Sequence, residues 1–95
     1  MEKRKRAKMK RRLKALQKEL AELGPVMRGS VVVIGTRNKQ PYFSLNKNKK
    51  TQLIYLGKKR EDKARQYSAN YKRLREIVEE MTQWNMTLLK ENYDI

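Results

Sequence analysis

The residues that favour turns are confined to the middle of this chain. All four glycines and both prolines lie between Gly24 and Gly57. Because glycine weakens helices and proline breaks them, long helices are permitted only on either side of this segment. The 95 residues are also too few for more than one small domain. The sequence therefore predicts strands and turns in the centre, flanked by two helical segments.

The segment before Gly24 has the pattern of an amphipathic helix with a narrow apolar stripe. The stripe recurs at spacings of 4, 3, 4 and 3 and consists of Met9, Leu13, Leu16, Leu20 and Leu23. Gly24 and Pro25 then end the helix, which is predicted over residues 9–23. Residues 1–8 lack the stripe and repel one another, so we expect a basic arm without fixed structure until a partner neutralises it.

The centre reads as three short strands joined by two hairpins, with the sheet predicted over residues 30–56. If Asn48 and Lys49 form the second turn, Phe43 faces Ile54 and Tyr42 faces Tyr55. With residues 37–40 as the first loop, Ile34 joins the Phe43 pair. One face is then predicted to lie under a helix and consists of Val32, Ile34, Phe43, Leu45, Ile54 and Leu56. The other is expected either to contact a partner or to lie under the second helix, and consists of Val33, Tyr42, Ser44, Asn46, Thr51, Leu53 and Tyr55.

Residues 60–91 contain no glycine or proline and are predicted to form one helix of about 45 Å. A heptad seam runs through Ala64, Tyr67, Tyr71, Leu74, Val78, Met81, Asn85 and Leu88, and is widened by Ile77, Trp84 and Leu89. We prefer antiparallel pairing of this seam with the N-terminal helix. The alternative is a homodimer, in which Asn85 would fix the register. The prediction is an α+β fold, with a three-stranded antiparallel β-meander between an N-terminal and a long C-terminal helix, in a single αβββα domain of residues 9–95.

Several classes of chemistry are absent from this sequence. It has no cysteine and no histidine, which excludes disulfides, thiolate or imidazole metal sites and Ser-His or Cys-His catalysis. Glu76, Glu79 and Glu80 lie on one predicted helix, where Lys72, Arg73 and Arg75 can pair with them. We therefore expect a protein that is not an enzyme and has no cofactor, metal or small-molecule substrate. The apolar runs are too short for a signal peptide or transmembrane segment, so a cytoplasmic location is expected.

The formal net charge of +15 makes an anionic partner the main functional expectation. Residues 3–12 include eight basic residues, and no carboxylate occurs between Glu22 and Glu61. Lysine and arginine would bind phosphates, while tyrosine, asparagine and glutamine would contact bases. The alternatives are a basic run that only aids solubility and strand-edge lysines that only prevent aggregation. The predicted contacts are Lys3, Arg4, Lys5, Arg6, Lys8, Lys10, Arg11, Arg12, Arg28, Arg37, Lys39, Tyr42, Asn46, Lys47, Lys49, Lys50, Gln52, Tyr55, Lys58, Lys59 and Arg60.

Two resemblances add to this interpretation. The order ELGPVMRGSV, PYFSL, LIYLG and NYKRLREIVEEM resembles a family of small uncharacterised prokaryotic proteins, over nearly the whole chain from about Lys10. Members of that family often carry a cysteine cluster suggestive of zinc in the first hairpin loop, but this loop reads TRNKQ and implies no metal. The family is similar to proteins encoded near mobile elements.

A shorter segment, PYFSLNKNKKTQLIYLGKKREDKA, resembles the three-stranded sheet and helix of integrase-type DNA-binding domains. Those domains insert the sheet into the major groove. The resemblance implies contacts at Tyr42, Ser44, Asn46, Gln52 and Tyr55. It does not cover the N-terminal helix or the very long final helix, which those domains lack.

The leading hypothesis is a non-enzymatic nucleic-acid-binding protein, an accessory subunit of a mobile-element or ribonucleoprotein complex. The sequence leaves DNA and RNA both open. The second hypothesis is a protein-interaction or scaffold module that dimerises or docks a partner through Tyr67, Tyr71, Leu74, Val78, Met81, Trp84, Asn85 and Leu88. A third is peripheral membrane binding through residues 3–12.

Overall fold

The computed structural model describes residues 2–91, in which a helix, a three-stranded antiparallel sheet and a second helix follow one another along the chain. The elements are α1 (Lys3–Glu22), β1 (Ser30–Ile34), β2 (Gln40–Lys47), β3 (Lys50–Tyr55) and α2 (Gly57–Lys90). This order confirms the predicted αβββα fold. The chain forms two compact units: the helical unit, made of α1 and of α2 from Arg73 onward, and the sheet unit, Gly24–Lys72.

Both helices begin earlier than the sequence pattern predicts. α1 starts at Lys3, so the expected unstructured arm is helical from that residue. Lysine and arginine are good helix formers, and this segment has no glycine or proline to stop them. α2 starts at Gly57 instead of residue 60. Met1 of the predicted arm and residues 92–95 of the predicted domain lie outside the described residues.

The second hairpin has the predicted register. Asn48 and Lys49 have φ angles of 53° and 62°, the pattern of a two-residue type I′ turn. Phe43 therefore pairs with Ile54 and Tyr42 with Tyr55. The expected pairing across this hairpin is confirmed.

The predicted register of the first hairpin is wrong. Phe43 pairs with Val31 instead of Ile34, a shift of three residues. An odd shift moves every β1 side chain to the opposite face of the sheet. Val31 and Val33 consequently lie on the Phe43 face, whereas Val32 and Ile34 lie on the Tyr42 face.

α2 covers the part of the Phe43 face around Phe43, whereas Val33 and Ile54 on the same face are 52% and 56% exposed. The prediction that Ile54 lies under a helix is therefore wrong. Phe43, Leu56 and Ala64 are buried together, and Met27, Val31 and Leu45 pack against them. The segment before β1 is tied to the same helix by hydrogen bonds. The Met27 amide donates to the Tyr67 carbonyl at 3.1 Å, and the Ser68 hydroxyl to the Gly29 carbonyl at 2.7 Å. The Tyr42 face therefore points away from the core of this unit.

Gly29 is required where this segment crosses the core. Its φ is +139°, and a Cβ there would lie 2.6 Å from the Ser44 carbonyl oxygen and 2.7 Å from the Phe43 ring. We expect Gly29→Ala to lower the free energy of unfolding by about 1–3 kcal/mol. Urea denaturation measures this loss. Gly24→Ala is the matched control, because its Cβ would meet only the movable Asn70 side chain, at 3.1 Å. Equal losses of stability in both variants would contradict the requirement for glycine at position 29.

The helical unit is an antiparallel helix pair. Met9, Leu13 and Leu88 form its buried cluster, with Met81 and Trp84 packed against it. Ion pairs from Arg12 to Glu80 and from Glu19 to Arg73 mark the antiparallel direction. The preferred intrachain pairing is thus present in the structure.

The predicted heptad seam is displaced within this pair. Ile77 is fully buried, whereas Val78 is 49% exposed. A straight α-helix drifts relative to a strict seven-residue repeat, so the buried stripe moves from one seam position to the adjacent residue. Val78 is therefore not a core residue of the described chain.

Candidate nucleic-acid interface

The Tyr42 side of the sheet is a mixed apolar and polar surface that we call the open sheet face. No described element of the sheet unit covers it, and its three β3 residues, Thr51, Leu53 and Tyr55, are exposed. Its large apolar members Ile34 and Leu53 are 43% and 50% exposed. The open sheet face consists of Ser30, Val32, Ile34, Gln40, Tyr42, Ser44, Asn46, Thr51, Leu53 and Tyr55.

Hydrogen bonds hold the aromatic part of this face in place. The Tyr42 and Tyr55 ring centroids are 5.6 Å apart, with the rings tilted by 55°. The Tyr55 hydroxyl donates to Gln40 Oε1 at 3.0 Å, and Gln40 Nε2 donates to Asn38 Oδ1 at 2.9 Å. These two bonds link Tyr55 of β3, through Gln40, to Asn38 in the first hairpin loop.

The turn between β2 and β3 concentrates positive charge. We call Lys47, Lys49 and Lys50 the basic hairpin tip. Lys47 and Lys50 pair directly across the hairpin, and like charges in that position destabilise a sheet. All three lysines are exposed, and none makes an ion pair with another described residue. The basic hairpin tip therefore presents three positive charges that no described carboxylate neutralises.

Further basic residues lie at the opposite end of the open sheet face. Arg37 and Lys39 belong to the first hairpin loop, and Lys58 and Lys59 lie in the first turn of α2. β2 has eight residues and spans about 26 Å between the two ends. Positive charge therefore stands at both ends of the face.

Three of the predicted contact residues either donate to backbone carbonyls or lie on the opposite face of the sheet. Arg60 donates to the Leu56 and Tyr55 carbonyls at 2.9 and 2.7 Å, which satisfies the end of β3. Arg28 donates to the Asn46 carbonyl at 3.0 Å. Gln52 pairs with Leu45 on the Phe43 face, so the structure does not bring it together with the tyrosines.

The basic residues of α1 belong to the helical unit and surround the helix. They are Lys3, Arg4, Lys5, Arg6, Lys8, Lys10, Arg11 and Arg12. Successive residues of a helix point in different directions, so these side chains cannot all contact one ligand. Arg12 is already engaged, because its Nε and Nη2 donate to Glu80 at 2.6 and 2.9 Å.

The Glu80 carboxylate is held ionised by its donors. Hydrogen bonds from Arg12 and from the Trp84 indole lower its pKa from 4.5 to about 2. Likewise, the Arg73 guanidinium lowers the pKa of Glu19. The bonded, charged Glu80 joins the two helices next to the Met9 cluster.

This lowered pKa predicts a pH-dependent contribution to stability. A carboxylate with a depressed pKa stabilises the fold above its unfolded pKa, and that contribution is lost as the pH falls from about 4.5 towards 2. We expect Glu80→Gln to be less stable than the parent protein at neutral pH, with a difference that shrinks at about pH 3. Urea denaturation followed by Trp84 fluorescence measures the stability difference at each pH. A difference that stays constant with pH would show that ionisation of Glu80 contributes nothing.

The residues predicted for helix pairing or dimerisation are used in different ways. Met81, Trp84 and Leu88 lie in the helical core. Tyr67, Tyr71, Leu74 and Asn85 are half-buried, and Val78 is exposed. Leu89, which was predicted to widen the seam, is 68% exposed, and Met86 is also exposed. The buried Asn85 Oδ1 accepts no hydrogen bond from another described residue.

Known proteins give no further guidance to the site. Comparison with protein-family models, curated proteins and solved structures returns no match. Among residues 2–91, no three acidic side chains come together in a way that could hold a metal ion. Neither described helix has an apolar stretch long enough to cross a membrane.

Sequence reasoning missed Ser30, Val32, Ile34 and Gln40 as members of the open sheet face. Val32 and Ile34 were assigned to the other face by the register error. Gln40 has the same alternation as Tyr42 and Ser44, so extending the strand pattern back across Pro41 would have included it.

Proposed function

We propose that this protein binds nucleic acid through the open sheet face and the basic hairpin tip, without catalysing a reaction. The observation that carries the proposal is the uncompensated lysine pair Lys47 and Lys50. A phosphate between them would relieve their repulsion and add charge-assisted hydrogen bonds. The sheet unit offers no competing carboxylate before Glu61.

The rest of the face supplies what a nucleic-acid ligand needs beyond phosphate contacts. The Tyr55 ring is 47% exposed and can contact a base or sugar by its face. Ser44 and Asn46 can exchange hydrogen bonds with groove edges. A small antiparallel sheet fits the major groove of B-DNA, whereas the deep, narrow major groove of A-form RNA does not admit side chains. This role is compatible with a cytoplasmic accessory subunit of a mobile-element or ribonucleoprotein complex.

Fluorescence anisotropy with labelled oligonucleotides tests the proposal. Duplex DNA, duplex RNA and single strands of equal length are titrated at several salt concentrations. We expect the logarithm of the binding constant to fall linearly with the logarithm of salt concentration, by about 0.9 for each neutralised phosphate of duplex DNA. The absence of binding to all three ligands at low salt would overturn the proposal.

A second candidate function is a protein-interaction module, favoured by the apolar residues exposed on α2. Val78, Met86 and Leu89 would dock a partner helix or a second copy of this chain. Mass measurement of the purified protein shows whether it is a monomer or a dimer. A stable dimer that Leu89→Glu converts to monomer, with no nucleic acid bound, would favour the module over the leading proposal.

A further inference from the structure

The helical unit contains a small pocket outside the open sheet face. Its volume is about 240 Å³, and Lys5, Lys8, Met9, Arg12 and Trp84 line it. Met9 is buried and Trp84 is half-buried, so they supply an apolar and aromatic wall. The three cations come from successive turns of α1. A pocket of this size admits a small flat ligand and not a large one.

The charges around the pocket are only partly compensated. Glu80 accepts two hydrogen bonds from Arg12 and one, at 3.0 Å, from Trp84 Nε1. These bonds neutralise Arg12 and fix the indole ring. Lys5 and Lys8 make no ion pair with another described residue. The pocket thus combines an aromatic wall with two lysines that no other described residue neutralises.

A nucleotide has the matching chemistry: a flat aromatic base joined to a phosphate. Base stacking on an aromatic side chain tolerates any sequence, because every base has a π-face. We propose that this pocket holds one unpaired nucleobase beside Trp84, with the adjoining phosphate on Lys5 and Lys8. The inference rests on the proposed function and deepens it, because it specifies that the bound nucleic acid includes a strand with an unpaired base. A fully paired duplex cannot place a base in such a pocket unless the base is flipped out.

Trp84 is the single tryptophan of the chain, so its emission reports on this pocket. The probe is a single-stranded oligothymidine of about 12 nucleotides. We expect saturable quenching of Trp84 by this strand and little change with a blunt duplex of equal length. Anisotropy of the labelled oligonucleotides is measured in parallel, so that total binding is known independently of the emission.

A pair of double variants isolates the two free lysines. Lys5→Gln with Lys8→Gln should weaken oligothymidine binding by about tenfold at low salt, since two phosphate contacts are removed. Lys14→Gln with Lys18→Gln removes the same charge from exposed positions of α1 that do not line the pocket. This control should change binding by much less. Circular dichroism verifies that both variants remain helical.

The outcomes separate this inference from the proposed function. Anisotropy that shows binding while Trp84 emission stays constant, or responds equally to the blunt duplex, overturns the pocket and leaves the proposed function intact. The same holds if the control variant loses as much binding as the Lys5 and Lys8 variant. Quenching by a short Glu/Phe peptide but not by oligothymidine would assign the pocket to an acidic protein partner instead. No binding of any nucleic acid overturns both proposals.

Discussion

Replacing Lys47, Lys49 and Lys50 with glutamate is expected to weaken nucleic-acid binding by on the order of 100-fold at low salt. The three lysines cluster at one turn, where Lys47 and Lys50 face each other without a carboxylate to separate them. Each lysine that neutralises a phosphate contributes about one unit to the salt dependence, so the slope should become shallower by about three. The loss should be shared across ligand sequences, because phosphate contacts carry no sequence information.

The control for this variant carries the same change of charge elsewhere. Lys14, Lys63 and Lys72 are exposed and unpaired among the described residues, and lie outside the proposed interface. Their replacement by glutamate takes the net charge from +15 to +9, as does the hairpin variant, since each of three changes removes two charges. If both variants lose equal affinity, attraction depends on net charge alone and the hairpin tip is not the site.

Leu13→Ala is expected to lower the free energy of unfolding by about 2–5 kcal/mol, the largest effect on stability that we predict. Leu13 is 1% exposed and packs with Met9 and Leu88 where α1 meets α2. Truncation removes apolar contacts and leaves a cavity that neighbouring side chains fill only in part. Urea denaturation followed by Trp84 emission reports the change, because Trp84 packs against this cluster.

Leu89→Ala provides the matched comparison, since the same atoms are removed from a side chain that is 68% exposed. Its effect should be within about 0.5 kcal/mol. Similar losses in both variants, with a dependence on protein concentration, would show that Leu89 is buried against a second copy. That result would favour the interaction module.

The second hairpin was predictable because its signals are local. Two residues, Asn48 and Lys49, separate strands of alternating pattern, and a two-residue loop fixes the register without information from elsewhere. The pairing of Tyr42 with Tyr55 followed directly. The intrachain helix pair was likewise indicated by the spacing of Met9, Leu13 and Leu16.

The first hairpin was not predictable in the same way. Pro41 lacks an amide hydrogen and reads as a turn residue, yet it lies in β2, where its carbonyl accepts a hydrogen bond from the Leu56 amide at 3.1 Å. The loop also closes tightly, since a Cβ at Gly35 would lie 2.4 Å from the Asn38 carbonyl oxygen. Three valines followed by isoleucine give no alternation from which the inner face of β1 could be chosen. The displacement from Val78 to Ile77 has a comparable origin, because either residue would fit an apolar stripe.

The central claim is that the open sheet face and the basic hairpin tip contact nucleic acid. NMR titration of the labelled protein with an oligonucleotide that binds in anisotropy tests it most directly. We expect the largest shift changes at side chains of Tyr42, Ser44 and Tyr55 and at amides of the hairpin tip, with smaller changes at Phe43 and Ala64 in the covered core. Shift changes confined to the α2 surface around Val78 and Leu89, with the open sheet face unperturbed, would contradict the account.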